Sequence, residues 1–235
     1  MHVETDIEVT DVKKDGEKLK ITAKKKDGTW KEFTVASLFI AAGRKSNADL
    51  LKLEKTGVEL DNKGFIKVDE EYKTSKPNIW ALGDAIGKAM YKHVANKEAE
   101  IVWHSYTHGH SHPLNYDLVP YAVFSWPQVA SVGLTEEEAR NRGLEFYIGE
   151  YNYIDTAKGA AMMEEDGYVK VILTKDNYKI MGAHIVGSYA PILIQEVINV
   201  MNAGEGTVHP LVEAMHIHPA LPEVIQRAFY NIRES

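Results

Sequence analysis

The sequence has 235 residues, 44 % of them hydrophobic, and a formal net charge of −7. A chain of this length and composition can form one large domain or two modest ones with packed cores. Its acidic balance and lack of a basic cluster argue against nucleic acid as a partner, and no apolar run approaches the roughly 18 residues of a membrane-spanning helix.

Cysteine is absent from the chain. The chain therefore has no disulfide, no thiolate metal site and no redox dithiol of its own. Its first residues also lack the charged-then-apolar pattern of a signal peptide, which favours a cytoplasmic location by default. Small molecules or proteins are the expected partners.

Residues 8–42 are predicted to form strands. Residues 19–24 and 30–35 alternate between apolar and polar side chains, and Asp27-Gly28 marks the turn between them. The run Leu38–Ala41 is short and continuously apolar, which is typical of a buried strand. We therefore expect an antiparallel meander that ends in a buried strand.

A short strand is predicted over residues 64–69, and a loop running into a second strand over residues 74–84. Gly83 lets the backbone approach a ligand closely. Asp84 lies at the end of a strand, where doubly wound sheets bind their ligands, and its carboxylate can accept hydrogen bonds from sugar hydroxyls. The segment therefore indicates a cofactor site; the alternative is a purely structural strand, turn and helix.

Residues 90–107 are predicted to form a helix, because apolar residues recur at spacings of three and four. Tyr91, Lys92 and His93 occupy its first turn.

Four histidines fall within nine positions: His104, His108, His110 and His112. The first two have the spacing of one helical face, so a metal site is one interpretation. A solvated linker that runs through Gly109 to Pro113 is the other. We predict no metal site and place a domain boundary near residues 115–117.

The residues from 117 onward are predicted to form an α+β domain. Its predicted strands are residues 121–125, 129–132, 151–154, 167–173 and 180–186. Thr135 with Glu138 is a capping-box pattern that begins a helix, and Gly143 ends this helix. Further helices are predicted over residues 191–202 and after Thr207. We expect an antiparallel sheet of about five strands with helices on one face, and we interpret His184 as a packed core histidine.

Residues 216–223, with the sequence His-Ile-His-Pro-Ala-Leu-Pro-Glu, combine two imidazoles with a carboxylate at the start of a helix. Pro219 disfavours helix for His218, and Pro222 suits a first helical turn. Glu223 can then fold back onto the Nδ1–H of His218, which fixes the tautomer of the ring and raises its basicity. His218 and Glu223 are therefore candidate acid/base groups; the alternative is a turn followed by a surface helix.

These motifs together resemble the pyridine nucleotide-disulfide oxidoreductases, flavin-dependent dimers, and above all their dihydrolipoamide dehydrogenase branch. Residues 38–47 resemble the signature that closes the nicotinamide domain, with Ser46 in place of the usual Pro. Residues 74–84 match the second FAD motif of the family at nearly every position. Residues 119–139 resemble the opening of its dimerisation domain, with Gln128 in place of Glu. In the His-x-His-Pro-x-Leu-x-Glu motif, Ala220 replaces the usual Thr, a natural N-cap, which should cost this helix about 1 kcal/mol.

The resemblance implies three segments: residues 1–47 as the tail of the NAD(P)-binding domain, 48–116 as the C-terminal segment of the FAD-binding domain, and 117–235 as the dimerisation domain. The residues implied to contact cofactors are Asp84 at the FAD ribityl chain with Gly83 beside it, one or more of Tyr91, Lys92 and His93 in the helix turn that points at the flavin ring, and Gly43 and Arg44 in the nicotinamide domain. In the family, the histidine matched by His218 exchanges a proton with the dithiol substrate, and the glutamate matched by Glu223 orients it.

The glycine-rich nucleotide fingerprints and the redox-active cysteine pair of the family have no counterpart here. We therefore expect the chain to be a C-terminal half, inactive alone, that binds little or no FAD or NAD(P) without a partner N-terminal half carrying the cysteines. A homodimer is expected, in which His218 of one subunit serves the disulfide of the other. The alternatives are half of a related disulfide reductase and a dimerisation module without catalytic activity.

Overall fold

The computed structural model describes residues 2–109 and 112–235, which divide into two compact units, Met1–Lys45 and Ser46–Ser235. The first unit is the predicted antiparallel meander. Its strands are β1 (Ile7–Asp15), β2 (Lys18–Lys25) and β3 (Trp30–Val35), in the order β1-β2-β3. Ile21 and Ala23 of the central strand are buried, as the alternating pattern predicts.

The buried strand predicted over Leu38–Ala41 is wrong. This segment has no regular secondary structure, and the residues Phe39 and Ile40 are 90 % and 75 % exposed. A continuous apolar run forms a strand only where neighbouring strands pair with it and both faces are covered. Among the described residues, no strand pairs with this segment.

The segment between the meander and the C-terminal sheet consists mainly of turns. Its short 3-10 helices are Ala48–Leu51, Leu53–Lys55, Gly83–Ile86 and Tyr116–Leu118, and its α-helix is α1 (Lys92–His108). The strands predicted over residues 64–69 and 74–84 are only two isolated bridges, Leu60 to Ile66 and Lys73 to Trp80. The cause is local, because Asp69 Oδ1 accepts the backbone N–H groups of Glu71 and Lys73 and so competes with a strand ladder.

The remaining residues form a sheet with helices packed against it. Its strands are β4 (Tyr121–Val123), β5 (Val129–Gly133), β6 (Phe146–Asn152), β7 (Tyr168–Thr174), β8 (Ile180–Val186) and β9 (Ile232–Glu234), and its helices are α2 (Glu136–Asn141), α3 (Ala157–Met162), α4 (Ala190–Met201), α5 (His209–Val212) and α6 (Glu223–Tyr230). These six strands form one antiparallel sheet in the order β4-β5-β8-β7-β6-β9. The expected antiparallel sheet is therefore confirmed, with one strand more than the sequence indicated and with helices on both of its faces instead of one.

Two elements differ from the prediction in this domain. The strand predicted at residues 151–154 begins at Phe146, and residues Tyr153–Asp155 form a 3-10 turn. The last helix ends at Tyr230, and Ile232 pairs with Gly149 as part of β9. Glycine at position 149 weakens the strand pattern of β6, yet it lets α6 lie against this strand. A Cβ at this position would be 2.1 Å from the carbonyl oxygen of Ala228.

The main core lies between the sheet and the helices α4 and α6. Val169, Val171 and Leu173 of β7 point into it and are fully buried. The intervening residue Ile172 points to the opposite face, where it packs with Ala139 of α2. The predicted capping box of α2 is confirmed, because Thr135 and Glu138 bond to each other's backbone N–H. No helix in the described part of the chain is long and apolar enough to cross a membrane.

Candidate functional site

His218 and Glu223 are brought together where the chain enters α6. His218 precedes a cis peptide bond to Pro219, and Glu223 is the first residue of the helix. His218 Nδ1 lies 2.9 Å from Glu223 Oε1. The imidazole is largely solvent-accessible, with 67 % of its side chain exposed, whereas the Glu223 side chain is 12 % exposed. The carboxylate is therefore a fixed partner and the ring is the accessible group.

Both oxygens of Glu223 have partners, because Oε2 accepts the backbone N–H of Ala220 at 3.1 Å. The hydrogen bond from His218, followed by that from Ala220, holds the pKa of Glu223 below its ordinary value. An ionised carboxylate accepts only, so the hydrogen on His218 lies on Nδ1 and the lone pair of a neutral ring lies on Nε2. This geometry lets Nε2 accept a proton from a neighbouring group and return it.

Gly83 and Asp84 lie in the 3-10 helix that precedes α1. Gly83 has a φ of +66°, and a Cβ there would be 3.2 Å from the Cβ of Ala95 on α1. The position therefore favours glycine for both backbone and space. Asp84 follows in the first turn and is exposed, so its side chain is accessible to a ligand.

A buried carboxylate that the sequence analysis missed fixes this turn. Glu98 of α1 is fully buried, and its Oε2 accepts the backbone N–H of Gly83 at 2.5 Å. Its Oε1 accepts the hydroxyl of Tyr116 at 2.6 Å, which lies 3.2 Å from the hydroxyl of Tyr72. Burial and the hydrogen bond to Glu98 raise the pKa of Tyr116. The sequence signal that could have identified Glu98 is its charge, which falls on the apolar face of the helix predicted over residues 90–107.

The first turn of α1 contains the other three predicted contacts of this segment. Tyr91 precedes the helix and stacks on His93, with ring centroids 5.3 Å apart, and on Tyr121 at 6.4 Å. His93 Nε2 lies 2.8 Å from the carbonyl oxygen of Pro120, and Lys92 bonds to Asn96 on its own helix. No side chain caps this turn and none of its residues is acidic, so the turn itself supplies no negative charge to the positive end of the helix dipole.

Gly43 and Arg44 lie in the first unit, in the irregular segment after β3. Gly43 has a φ of +86°, and no atom lies within 4 Å of where its Cβ would be. Only the backbone conformation therefore requires glycine at this position.

Two histidines of the predicted cluster, His104 and His108, lie in the last turns of α1. The rings of His104 and His108 have centroids 5.2 Å apart, and His108 Nδ1 lies 2.7 Å from the hydroxyl of Thr107. His110 lies outside the described residues. Within residues 2–109 and 112–235, no three His, Cys, Asp or Glu side chains are arranged to hold a metal ion.

His184 packs in the sheet with both ring nitrogens engaged. Its Nδ1 lies 2.6 Å from Ser131 Oγ, and its Nε2 lies 3.0 Å from the carbonyl oxygen of Leu134. A carbonyl can only accept, so Nε2 carries the hydrogen and the Ser131 hydroxyl donates to Nδ1. Burial lowers the pKa of His184. The residue is a core histidine in a polar contact between strands.

Two models of one protein family match this chain. Residues 1–99 match the family model described as pyridine nucleotide-disulphide oxidoreductase, and residues 119–229 match the model for the dimerisation domain of the same family. The chain belongs to the pyridine nucleotide-disulphide oxidoreductases. This family consists of flavin-dependent disulfide oxidoreductases that use NAD(P).

Individual relatives agree with the family assignment. A mycothione reductase of Mycobacterium tuberculosis is 40 % identical over 201 residues, which are 83 % of this chain and 44 % of the relative. Dihydrolipoyl dehydrogenase 3 of Haloarcula marismortui is 34 % identical over 203 residues, 86 % of this chain and 42 % of the relative. The chain therefore spans less than half the length of these curated relatives.

Solved structures show the same fold. LpdA from Mycobacterium tuberculosis superposes with a TM-score of 0.86 at 22 % identity. The superposition covers 95 % of this chain and 48 % of the LpdA chain. The flavoprotein disulfide reductase RclA from Escherichia coli gives a TM-score of 0.82 at 24 % identity, covering 95 % of this chain and 50 % of its own. At these identities the likeness concerns the fold alone.

Proposed function

We propose that the chain is the C-terminal part of a disulfide oxidoreductase and that His218 is its acid/base residue. The observation that carries this proposal is the 2.9 Å hydrogen bond between His218 Nδ1 and the buried Glu223, beneath an exposed ring. We also assign residues 1–47, 48–116 and 117–235 to the NAD(P)-binding, FAD-binding and dimerisation domains.

Dithiol chemistry needs such a group, because the thiolate is the nucleophile and a thiol must lose its proton before it attacks. Nε2 of His218 is the accessible nitrogen and takes that proton. Glu223 stays ionised, since its pKa is lowered, and it stabilises the imidazolium that forms. In the reverse direction the same nitrogen returns the proton to the leaving sulfur.

The residues around Asp84 fit FAD. Glu98 fixes the turn that presents the exposed Asp84 carboxylate, which would accept hydrogen bonds from ribityl hydroxyls. The first turn of α1, including Tyr91, Lys92 and His93, offers an uncapped helix N-terminus to the electron-rich end of the flavin ring. When bound, the flavin supplies the two-electron transfer between nicotinamide and disulfide. Gly43 and Arg44 are proposed to face the nicotinamide cofactor.

A homodimer is part of the proposal, with His218 of one subunit serving the disulfide of the other. Residues 119–229 match a dimerisation domain. Met215 and Ile217, on either side of His216, are 98 % and 79 % exposed. Large apolar side chains in such positions are typical of a surface that is covered in the assembled protein. Light scattering tests this, and a monomer at tens of micromolar contradicts it.

Dihydrolipoamide is the proposed substrate, oxidised with NAD⁺ as the acceptor. The His-x-His-Pro-x-Leu-x-Glu pattern at residues 216–223 supports this choice. The second candidate is a mycothione-type disulfide, favoured by the 40 % identity to a mycothione reductase. A comparison of lipoamide and mycothione as substrates of one assembled enzyme separates the two.

The experiment combines this chain with the cysteine-containing N-terminal half of a relative. Alone, the chain is expected to bind FAD weakly and to leave lipoamide unreduced with NADH, because it contains no cysteine and no glycine-rich phosphate loop. In the assembled enzyme, His218→Gln should lose roughly 10²- to 10⁴-fold in turnover, the usual value of a positioned acid/base group. Glu223→Gln should lose less, because Glu223 orients the ring.

His209→Gln is the matched control, since His209 is an exposed histidine of α5. Unchanged turnover in His218→Gln, with the control also unchanged, overturns the proposal. If FAD binds to the assembled protein but neither disulfide is reduced, the alternative of a dimerisation module without catalytic activity is favoured.

A further inference from the structure

One side chain in the middle of the loop that carries His218 faces inward. Among residues 213–219, His216 is the only residue that is not exposed. Its side chain is 6 % exposed, whereas those of its neighbours Met215 and Ile217 lie almost wholly in solvent. Apolar packing of these neighbours therefore does not fix the path of the loop, which depends on polar contacts.

Both ring nitrogens of His216 face oxygen acceptors. Nε2 lies 3.0 Å from Glu196 Oε1 on α4, and Nδ1 lies 3.1 Å from the carbonyl oxygen of Ala214. Both oxygens only accept when the carboxylate is ionised, and a ring with its hydrogen on Nε2 donates to Glu196. A hydrogen bond to an ionised carboxylate is charge-assisted, and such bonds are about twice as strong as neutral ones.

Helix α6 holds the beginning and the end of the same loop. Tyr230 donates its hydroxyl hydrogen to the carbonyl of Val212 at 2.7 Å, and Gln226 Nε2 lies 3.3 Å from the carbonyl oxygen of Ala214. Glu223 binds His218 and the backbone of Ala220. Along the loop, His216 lies between these two groups of bonds. Its contact with Glu196 joins the loop to α4, whereas the other bonds join it to α6.

We propose that His216 and Glu196 are positioning residues that hold His218 against Glu223. This inference rests on the function proposed for His218. The loop stays close to α4 through Glu196, and the ring of His218, two residues further on, keeps its Nδ1 within reach of Glu223. Without the contact, the loop samples other paths and His218 populates both tautomers.

The test uses ¹⁵N NMR of the histidine rings in the full chain, at a pH where His218 is neutral. In the unmodified chain, His218 is expected in the Nδ1–H tautomer. Glu196→Leu and His216→Leu should both shift it toward a mixture of tautomers. Glu196→Gln should restore most of the Nδ1–H form, because the amide oxygen still accepts from His216. Gln195→Leu, at an exposed position of α4, is the matched control and should change nothing.

A role in overall stability alone would not produce this pattern. Thermal unfolding of each variant identifies loss of the fold, and Glu196→Leu serves as the second variant because its side chain is 33 % exposed. In the assembled enzyme, Glu196→Leu should lower kcat roughly 10- to 100-fold with little change in KM, as expected for a misplaced reacting group. Glu196→Gln should recover most of that loss.

Glu223→Leu distinguishes failure of this inference from failure of the proposed function. If Glu223→Leu changes the tautomer of His218 but folded Glu196→Leu and His216→Leu do not, the positioning role is overturned and the His218–Glu223 pair stands. If Glu223→Leu leaves the tautomer unchanged, the pair itself is overturned, and the inference falls with it.

Discussion

The backbone N–H of Gly83 donates to the buried carboxylate of Glu98 across 15 residues of sequence. Glu98→Ala would leave that N–H without its partner and create a cavity in a fully buried position. We expect a loss of about 3 kcal/mol in the free energy of unfolding, from the unpaired donor and the cavity together. Urea denaturation of the chain measures it.

Glu100→Ala is the matched control for this variant. Glu100 lies on the same helix, is 62 % exposed and pairs with Lys97, so its removal should cost much less than the removal of Glu98. Equal losses in the two variants would show that Glu98 has no special role in holding the Gly83 turn.

The sequence was sufficient to predict the contact between His218 and Glu223 because that contact is local. The two residues are five positions apart, and Pro219 and Pro222 determine where the loop ends and the helix begins. The partners of Glu98 are 15 and 18 residues away. Such contacts depend on how separate segments pack, which no local pattern encodes.

The same distinction applies to the fold. The helix at Thr135 and Glu138 was predicted correctly because a capping box is complete within four residues. The run Leu38–Ala41 was predicted wrongly because apolar character alone does not supply strand partners. β9 was missed because its pairing with β6 joins residues 83 positions apart, such as Gly149 and Ile232.

We predict that position 149 requires glycine because there is no room for a Cβ atom, and not because of its backbone conformation. A Cβ there would be 2.1 Å from the carbonyl oxygen of Ala228, so Gly149→Ala must move α6 away from β6. We expect a loss of about 3 kcal/mol in unfolding free energy from this overlap. Gly204→Ala is the control, with a φ of +54° and no atom within 4 Å, and it should lose only about 1 kcal/mol from backbone strain.

His184 should make the stability of the chain fall in mildly acidic solution. Burial, followed by the charge of Lys170 on β7, lowers its pKa, while the carbonyl of Leu134 and the charge of Glu138 on α2 oppose this shift. The unfolded chain then binds a proton below about pH 6.5 that the folded chain resists, so stability rises with pH through this window. Protonation also removes the acceptor for the Ser131 hydroxyl.

Urea midpoints at about pH 5 and about pH 7.5 bracket the ordinary titration of histidine. The unmodified chain should be less stable at the lower pH, and His184→Gln should show a smaller difference between the two. His209→Gln, an exposed histidine, should keep the full difference. A His184→Gln variant with the same pH dependence as the unmodified chain contradicts the assignment.

Ala220 and Glu223 have the spacing of a capping box in the turn that leads into α6, although the helix itself begins at Glu223 with Pro222 as its N-cap residue. Glu223 Oε2 already accepts the backbone N–H of Ala220, which is the contact that the glutamate of a Ser/Thr-x-x-Glu capping box makes. The backbone N–H of Glu223 donates to the carbonyl of Ala220 over a long 3.4 Å, and Ala220 has no hydroxyl that could accept it instead. Ala220→Thr supplies this oxygen and should raise the free energy of unfolding by about 1 kcal/mol. Ala220→Val has nearly the same shape without the oxygen, so an equal gain in both variants would attribute the effect to packing and contradict the capping argument.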